Sequence, residues 1–384
     1  MTQVGVVRFF AERCVVVLLA SAALVGAARE ARATSADPFN TQWYFVRETP
    51  AAGAVDNQLR RGARGNLHYN LEDGQYGNNL YTQWDWSTIT TGGFTMDASY
   101  MGAACASWGN SRIDLVFVAA GGGNIAHGFA DSGALSWNQW GSDISSLGWH
   151  FVPQRPAIAS AKLGRVDVYA TAFTGNDYWG YPVYRLLHSS WDNGVFVDWQ
   201  VMSLNENPIG RGVAAAGLSG YVGQAGRLDL FYQGIGSGIV HTWSTDGGAS
   251  YPSYENIGAP DGGSPGLMGE PSAAKWGTSR NDLIIKGWDG HLWHAWSDGG
   301  AFIWNQWFDA QWSGLNSPWV GNPSITAYGN AELIITGIVD GGNKYVEDSF
   351  WDHGYVPFTL QTNNWNFPYY PYQTTDVATC RTQQ

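Results

Sequence analysis

Four arginines in this chain stand two residues before an aspartate, and a histidine follows each pair: Arg112/Asp114 with His127, Arg165/Asp167 with His188, Arg227/Asp229 with His241, and Arg280/Asp282 with His294. A carboxylate flanked by an imidazole on a neighbouring strand can accept a hydrogen bond from it, which satisfies two polar groups and fixes strand register. The alternative use is a set of histidines that contact a ligand, one per repeat. Asp and His are absent together from the first and last repeats, where Tyr69 and Glu332 stand nearby. That joint loss marks them as partners, so the expectation is four structural pairs: Asp114–His127, Asp167–His188, Asp229–His241 and Asp282–His294.

Aromatic residues offer a second chemistry. A pyranose presents an apolar C–H face and a polar rim, so a sugar site needs a ring for stacking beside a few donors and acceptors. Trp137-Asn-Gln-Trp140 and Trp304-Asn-Gln-Trp307 are identical, and Trp108-Gly-Asn-Ser-Arg112-x-Asp114 matches Trp276-Gly-Thr-Ser-Arg280-x-Asp282 at most positions. Candidate stacking faces are therefore Trp108, Trp276, Trp293, Trp296, Trp304 and Trp307, with Arg112, Arg280 and Asn305 as polar contacts. The competing use of such rings is packing between sheets. The repeated histidines are more than fifty residues apart, and the chain holds no His-x-His or His-x-x-x-His pair and no D-x-D-x-D-G string. Neither a metal site nor a cofactor is expected.

These residues must be positioned by short strands. The turn aspartates Asp73, Asp131, Asp192, Asp246, Asp298 and Asp352 are 58, 61, 54, 52 and 54 residues apart, a ruler of six units. Before the turns lie alternating segments such as Leu67-x-Tyr69-x-Leu71, Ile125-x-His127-x-Phe129, Ile239-x-His241-x-Trp243 and Leu292-x-His294-x-Trp296. Period-two alternation of β-branched and aromatic types marks half-buried strands. A repeat of this length with several strands and Gly-dense turns fits propeller blades better than helical solenoids. The 50 Gly and 21 Trp suit turns and wedges between sheets. The predicted fold class is all-β, a single β-propeller of six or seven four-stranded blades.

Residues 1–33 have a different character. Arg8 and Arg13 precede an apolar run from Cys14 to Ala28, and Ala31-Arg32-Ala33 offers a cleavage site, the pattern of a signal peptide. Residues 34–384 then form the propeller with a C-terminal closing tail, whose Trp365-Asn-Phe367-Pro-Tyr369-Tyr370-Pro-Tyr372 reads as a clasp over the seam of the ring. Residues 1–33 hold four of the 20 Lys and Arg and two of the 32 acids, so 16 basic and 30 acidic residues remain, a net charge of −14. Such a surface repels nucleic acid and anionic lipid, and neither nucleic-acid binding nor membrane insertion is expected. Two cysteines remain, Cys105 and Cys380. In an oxidising compartment an isolated pair more often bridges than stays free, and a link between them would fasten the ring.

The string Trp276-Gly-x-x-Arg280-x-Asp282, then Gly290-x-Leu292-Trp293-His294-x-Trp296-x-Asp298-Gly299, then Trp304-x-x-Trp307 resembles the blade motif of bacterial propeller lectins of the Photorhabdus fucose-binding type. Units two and five carry it best, and the match is good over about residues 100–310. The resemblance implies seven blades, sugar pockets between adjacent blades, and a secreted, multivalent, fucose-directed lectin whose partners are glycans or glycoproteins. This chain departs from the pattern in showing six units, and Leu292-Trp293-His294-x-Trp296 is its one complete copy of that string. Two other classes remain open. Ser244-Thr-Asp246-Gly-Gly248-Ala-Ser-Tyr251, with Tyr for Trp, is similar to the Asp-box of sialidase propellers, a structural hairpin turn that supports the fold more than the activity, while two carboxylates among the 30 acids would suffice for a glycoside hydrolase. The aromatic tail would suit a protein-interaction module of the cell surface.

Overall fold

The computed structural model describes residues 42–50, 66–72, 87–89, 93–94, 102–106, 112–131, 136–161, 163–204, 207–218, 226–235, 238–259, 267, 269–276, 280–287, 292–298, 308–309, 319–328, 332–340, 344–352, 359–361 and 372–381. Residues 1–33 and the aromatic stretch 365–371 lie outside them. Among the described residues the one helical element is a 3-10 turn, Ile144–Leu147.

The strands fall into six groups. β1 (Gln42–Pro50), β2 (Asn66–Glu72) and β3 (Ser87–Ile89) begin the first blade. Blade 2 is β4 (Ala104–Ala106), β5 (Arg112–Val118), β6 (Ile125–Asp131) and β7 (Ser136–Trp140). Blade 3 comprises β8 (His150–Phe151), β9 (Ala157–Ala159), β10 (Arg165–Asn176), β11 (Pro182–Asp192) and β12 (Val195–Val201). Blade 4 is β13 (Pro208–Leu218), β14 (Arg227–Gly234), β15 (Ile239–Ser244) and β16 (Ser253–Gly258). Blade 5 follows as β17 (Ser272–Trp276), β18 (Arg280–Lys286), β19 (Leu292–Asp298) and β20 (Phe308–Asp309). Blade 6 is β21 (Trp319–Tyr328), β22 (Glu332–Asp340), β23 (Lys344–Asp352) and β24 (Thr359–Gln361), and β25 (Tyr372–Arg381) ends the chain's strands.

β25 does not extend blade 6 outward. It pairs antiparallel with β1, from Gln42 opposite Arg381 to Pro50 opposite Tyr372, so the first blade is assembled from both ends of the chain. The inner strands touch in a closed cycle, β4 to β9 to β13 to β17 to β21 to β25 and back to β4. The ring is a β-propeller, and its closed cycle has six members, as the six turn aspartates count. The seventh blade that the lectin resemblance implied has no place in that cycle.

The core lies in the wedges between blades. In β14, Leu228, Leu230 and Tyr232 pack toward blade 3, whereas Phe231 on the other face joins Leu283, Ile285 and Trp293 of blade 5. A strand covered on both faces reads as a nearly continuous apolar run, with Asp229 its charged exception. Outer turns are tight: Asn193 and Gly194 both have positive φ, 47° and 91°, as a two-residue hairpin between β11 and β12 requires. Inner strands approach closely, and a Cβ on Gly217 of β13 would fall 2.1 Å from the carbonyl oxygen of Ser160 in blade 3. Because the obstacle is backbone, Gly217→Ala should destabilise the ring by about 1–3 kcal/mol. An unchanged denaturation midpoint in urea would show that the two blades have slack there.

Candidate functional site between the blades

Alternation along the second strand of each blade decides where the Arg-x-Asp pairs point. Val166 and Val168 of β10 join the cluster shared with blade 2, while Tyr169 joins the one shared with blade 4. Arg165 and Asp167 share the parity of Tyr169, so they face blade 4. The same parity sends Arg112/Asp114, Arg227/Asp229 and Arg280/Asp282 toward the next blade round the ring. Four successive clefts therefore carry one such set each.

Within a set the arginine grips the carboxylate two residues on. Arg112 Nε and Nη2 donate to Asp114 at 2.8–3.1 Å, and Arg165, Arg227 and Arg280 repeat this fork on Asp167, Asp229 and Asp282 at 2.7–3.1 Å. The histidine approaches from the third strand. His127, His188 and His294 place Nε2 2.8 Å from Asp114, Asp167 and Asp282, and His241 Nε2 lies 2.9 Å from Asp229. All four carboxylates are buried, as are His127, His241 and His294. The imidazole also reaches the fourth strand in two blades, through His127 Nδ1 to Asn138 at 2.8 Å and His241 Nδ1 to Glu255 at 2.8 Å.

The arginine also covers a ring. Directly opposite Asp114, Asp229 and Asp282 stand Phe129, Trp243 and Trp296. The guanidinium lies 4.3 Å from the Phe129 centroid, 5.2 Å from Trp243 and 4.2 Å from Trp296, a cation–π geometry in each. Blade 3 has Ser190 at that position. Its cleft is closed by the Asp-box turn of blade 4: Gly248 sits against Asp167 and Arg165, and the Tyr251 hydroxyl meets that of Tyr169. The box is a braced turn, with Asp246 accepting from Ser244 Oγ, Ala249 N, Ser250 N and Ser250 Oγ. Burial raises the Asp246 carboxyl, but these bonds outweigh it and bring the pKa to about 2.

The cleft between blades 4 and 5 is distinct. Lys275 of β17 crosses from blade 5 and donates to Asp229 at 2.7 Å and to Asn281 at 2.9 Å. Burial lowers the Lys275 ammonium pKa while the Asp229 charge pulls it back up. Burial likewise opposes ionisation of Asp229, yet His241, Lys275 and Arg227 together hold its carboxyl well below the ordinary range. Asp282 is lowered in the same way against its own burial, through His294 and Arg280. Arg227 is the most exposed of the four arginines, its side chain 38% accessible against 16% for Arg112, 12% for Arg165 and 9% for Arg280. Its Nη1 meets no partner among the described residues.

The sequence-derived sugar contacts divide by place. Arg112 and Arg280 line clefts as above. Trp296 is half-buried with one face under Arg280. Trp293, 8% exposed, packs with Phe231 and Ile285 between blades 4 and 5. Trp108, Trp304, Asn305 and Trp307 lie outside the described residues, as does the side chain of Trp276. Arg227, Trp243 and Phe129 are not among the sequence-derived sugar contacts. They occupy the same columns as Arg280 and Trp296, but no Trp-Gly-x-x-Arg string marks Arg227 and Phe129 is not a Trp. Among the described residues no group of three or more His, Cys, Asp or Glu could hold a metal ion.

No protein-family model matches the chain, and no curated protein matches it in sequence. Solved structures do resemble it in fold. An arginine-to-alanine variant of AofleA from Arthrobotrys oligospora is 11% identical with a TM-score of 0.51, covering 83% of this chain and 84% of its own. A mutant of the Aleuria aurantia lectin in complex with alpha-methyl-L-fucoside is 13% identical with a TM-score of 0.48, covering 84% and 95%. The BP39L lectin from Burkholderia pseudomallei is 15% identical with a TM-score of 0.49, covering 89% and 96%. At these identities the likeness is one of fold.

Asp229 gathers more cationic partners than Asp114, so its loss should cost more. Asp229→Ala leaves Arg227, His241 and buried Lys275 uncompensated, and a penalty of about 3–5 kcal/mol is expected in urea denaturation. A penalty no greater than that of Asp114→Ala would refute the special position of the Lys275 bridge.

Proposed function

We propose that the chain is a secreted, multivalent lectin that binds neutral sugars, fucose first among them, in the clefts between blades. The observation that carries this reading is the repeated set itself: a guanidinium fixed by a buried carboxylate and laid over an aromatic ring, in three clefts. A donor whose direction is set before a ligand arrives loses little freedom on binding. In blades 2 and 4 the ring, stacked with His127 or His241 as well as with the arginine, holds that donor in place and leaves its edge, not a free face, toward a ligand. Arg227 and Trp243, with the partly exposed guanidinium, make the blade 4/5 cleft the leading site. Arg112 and Arg280, named from the sequence as polar contacts, serve the blade 2/3 and 5/6 clefts in the same way. The preference for fucose rests on the resemblance of the blade string to the Photorhabdus-type lectins.

Hydrolysis is the weaker reading for these clefts. A glycosidase needs two carboxyl groups free to act on the substrate, whereas Asp114, Asp167, Asp229 and Asp282 are buried and committed to Arg and His. A single monosaccharide site buries little area, so affinity per site is expected in the millimolar range, about −4 kcal/mol. Several sites on one rigid ring would convert weak contacts into avidity on a clustered glycan surface.

The same reading takes residues 1–33 as a secretion signal and pairs Cys105 with Cys380. Supporting the pair, Cys105 on β4 is disulfide-bonded and β4 lies against β25, the strand that bears Cys380. Closing so long a loop is worth about 4–5 kcal/mol in the chain-entropy model.

Calorimetric titration with fucose, galactose and mannose should show heat of binding for fucose, reduced in Arg227→Ala. Turnover of aryl-glycosides without sugar binding would replace the lectin with an enzyme. Thiol labelling of the natively secreted protein should find no reactive cysteine; two labelled sulfurs would exclude the bridge.

A further inference from the structure

One hairpin of blade 3 is longer than its counterparts. Counted from the rung that carries the arginine, β5 and β6 pair from Arg112–Asp131 to Val118–Ile125, and β10 and β11 pair from Arg165–Asp192 through Thr171–Leu186 over the same number of residues. They then continue through Ala172–Arg185, Phe173–Tyr184 and Gly175–Val183 to Asn176–Pro182. At ~3.3 Å per residue the finger projects by roughly 15 Å beyond the neighbouring hairpin. β8 backs it at Ala172 and Phe173, and β12 leaves β11 at Leu187. From Thr174 to Val183 the ribbon is two-stranded among the described residues.

Its tip is aromatic and rigid. Tyr178, Trp179 and Tyr181 are 93%, 77% and 69% exposed. Asp177 Oδ1 accepts from Trp179 N and Tyr181 N, both at 2.9 Å, and the backbone closes through Asp177 N to Tyr181 O and Gly180 N to Asp177 O. Gly180 has φ of 86°, so the turn is built on a conformation that glycine supplies without strain. The rings of Tyr178 and Trp179 stand edge to face at 5.6 Å. Three large rings are thus held outward by a turn whose carboxylate is spent on holding it.

We propose that this finger seats its tip in the headgroup–acyl boundary of a neutral, zwitterionic lipid bilayer. Tyr and Trp join an apolar body to a polar handle, the combination that favours that boundary. Charge selects the lipid: from Ala172 to Arg185 the acidic and basic side chains are Asp177 at the tip and Arg185 at the base, where it donates to Asn207, and the whole chain is −12, so the tip itself carries no cation to recruit an anionic headgroup. Shape selects the medium. A convex tip cannot enclose a sugar, which binds in concave sites, and two such tips would meet over far less than the ~800 Å² per partner of a stable dimer. The acidic surface repels anionic lipid, whereas a shallow seat in a neutral interface meets no such repulsion.

Flotation of the full secreted protein with phosphatidylcholine vesicles tests this directly. The protein should float with the vesicles, to the same extent when a minority of phosphatidylserine is added. A Tyr178→Ser/Trp179→Ser/Tyr181→Ser variant with unchanged melting temperature and sugar binding should lose about tenfold in partitioning. Should that variant fold poorly, Trp179→Phe gives a second readout: brominated phosphatidylcholine should quench the part of the wild-type fluorescence that Trp179→Phe lacks. No flotation, flotation unaffected by the triple substitution, or quenching that is equal in Trp179→Phe overturns the proposal. So does a wild-type dimer that the triple substitution dissolves in the absence of vesicles, which would assign the tip to a second copy.

Discussion

A buried carboxylate organises each of the central blades. Asp114, Asp167, Asp229 and Asp282 are each the third residue of a second strand and are buried. The guanidinium two residues away and the imidazole on the next strand meet that carboxylate, which ties the two strands, and in three of the blades an aromatic ring, into one unit. Since every set faces the following blade, the same group also sets what the neighbour must supply. Blade 5 answers Asp229 with Lys275, whereas blade 4 answers Asp167 with the bare backbone of Gly248. One repeated string thus produces clefts that differ in charge and in access.

The division between structure and ligand binding follows from the same arrangement. His127, His241 and His294 are buried inside the wedge, out of reach of a ligand arriving from water, and Arg227 is the part of its set that meets solvent. Anchoring Arg227 on one edge of its guanidinium leaves the other edge as the natural contact. Exposure of that edge falls from Arg227 to Arg280, so a fourfold sequence repeat does not imply four equal sites.

Much of the architecture was legible because it is written in spacing. The turn aspartates counted six blades, and the degenerate first and last units marked the seam where β1 and β25 meet. Asp and His, which come and go together along the chain, lie within hydrogen-bonding distance. Residue contacts between blades were not legible, because period-two alternation says which side chains share a face and nothing about what covers it. Trp293 and Trp296 look equivalent in the string Leu292-Trp293-His294-x-Trp296, yet one enters a hydrophobic wedge and the other lies beneath an arginine. Lys275 replaces the small residues Ser160 and Gly217 that precede it in equivalent inner strands, a change visible in the sequence but meaningless without the neighbouring Asp229. The aromatic finger reads as an ordinary turn, since its length becomes apparent only when rungs are counted from Arg165.

The seam also bears on how the molecule is made. β1 ends at Pro50 and its partner β25 begins at Tyr372, so at about 5–20 residues per second the ribosome needs roughly 15–65 seconds to deliver the mate of a strand already emerged. Throughout that interval one edge of β1 stands open, a row of unmatched amides and carbonyls able to recruit any passing strand. Blades 2 to 5 can dock on one another as they appear, but the circle stays a horseshoe until its last residues arrive. Quality control during synthesis therefore bears on a single unfinished edge, and a nascent chain stalled before residue 372 is a template for misassembly.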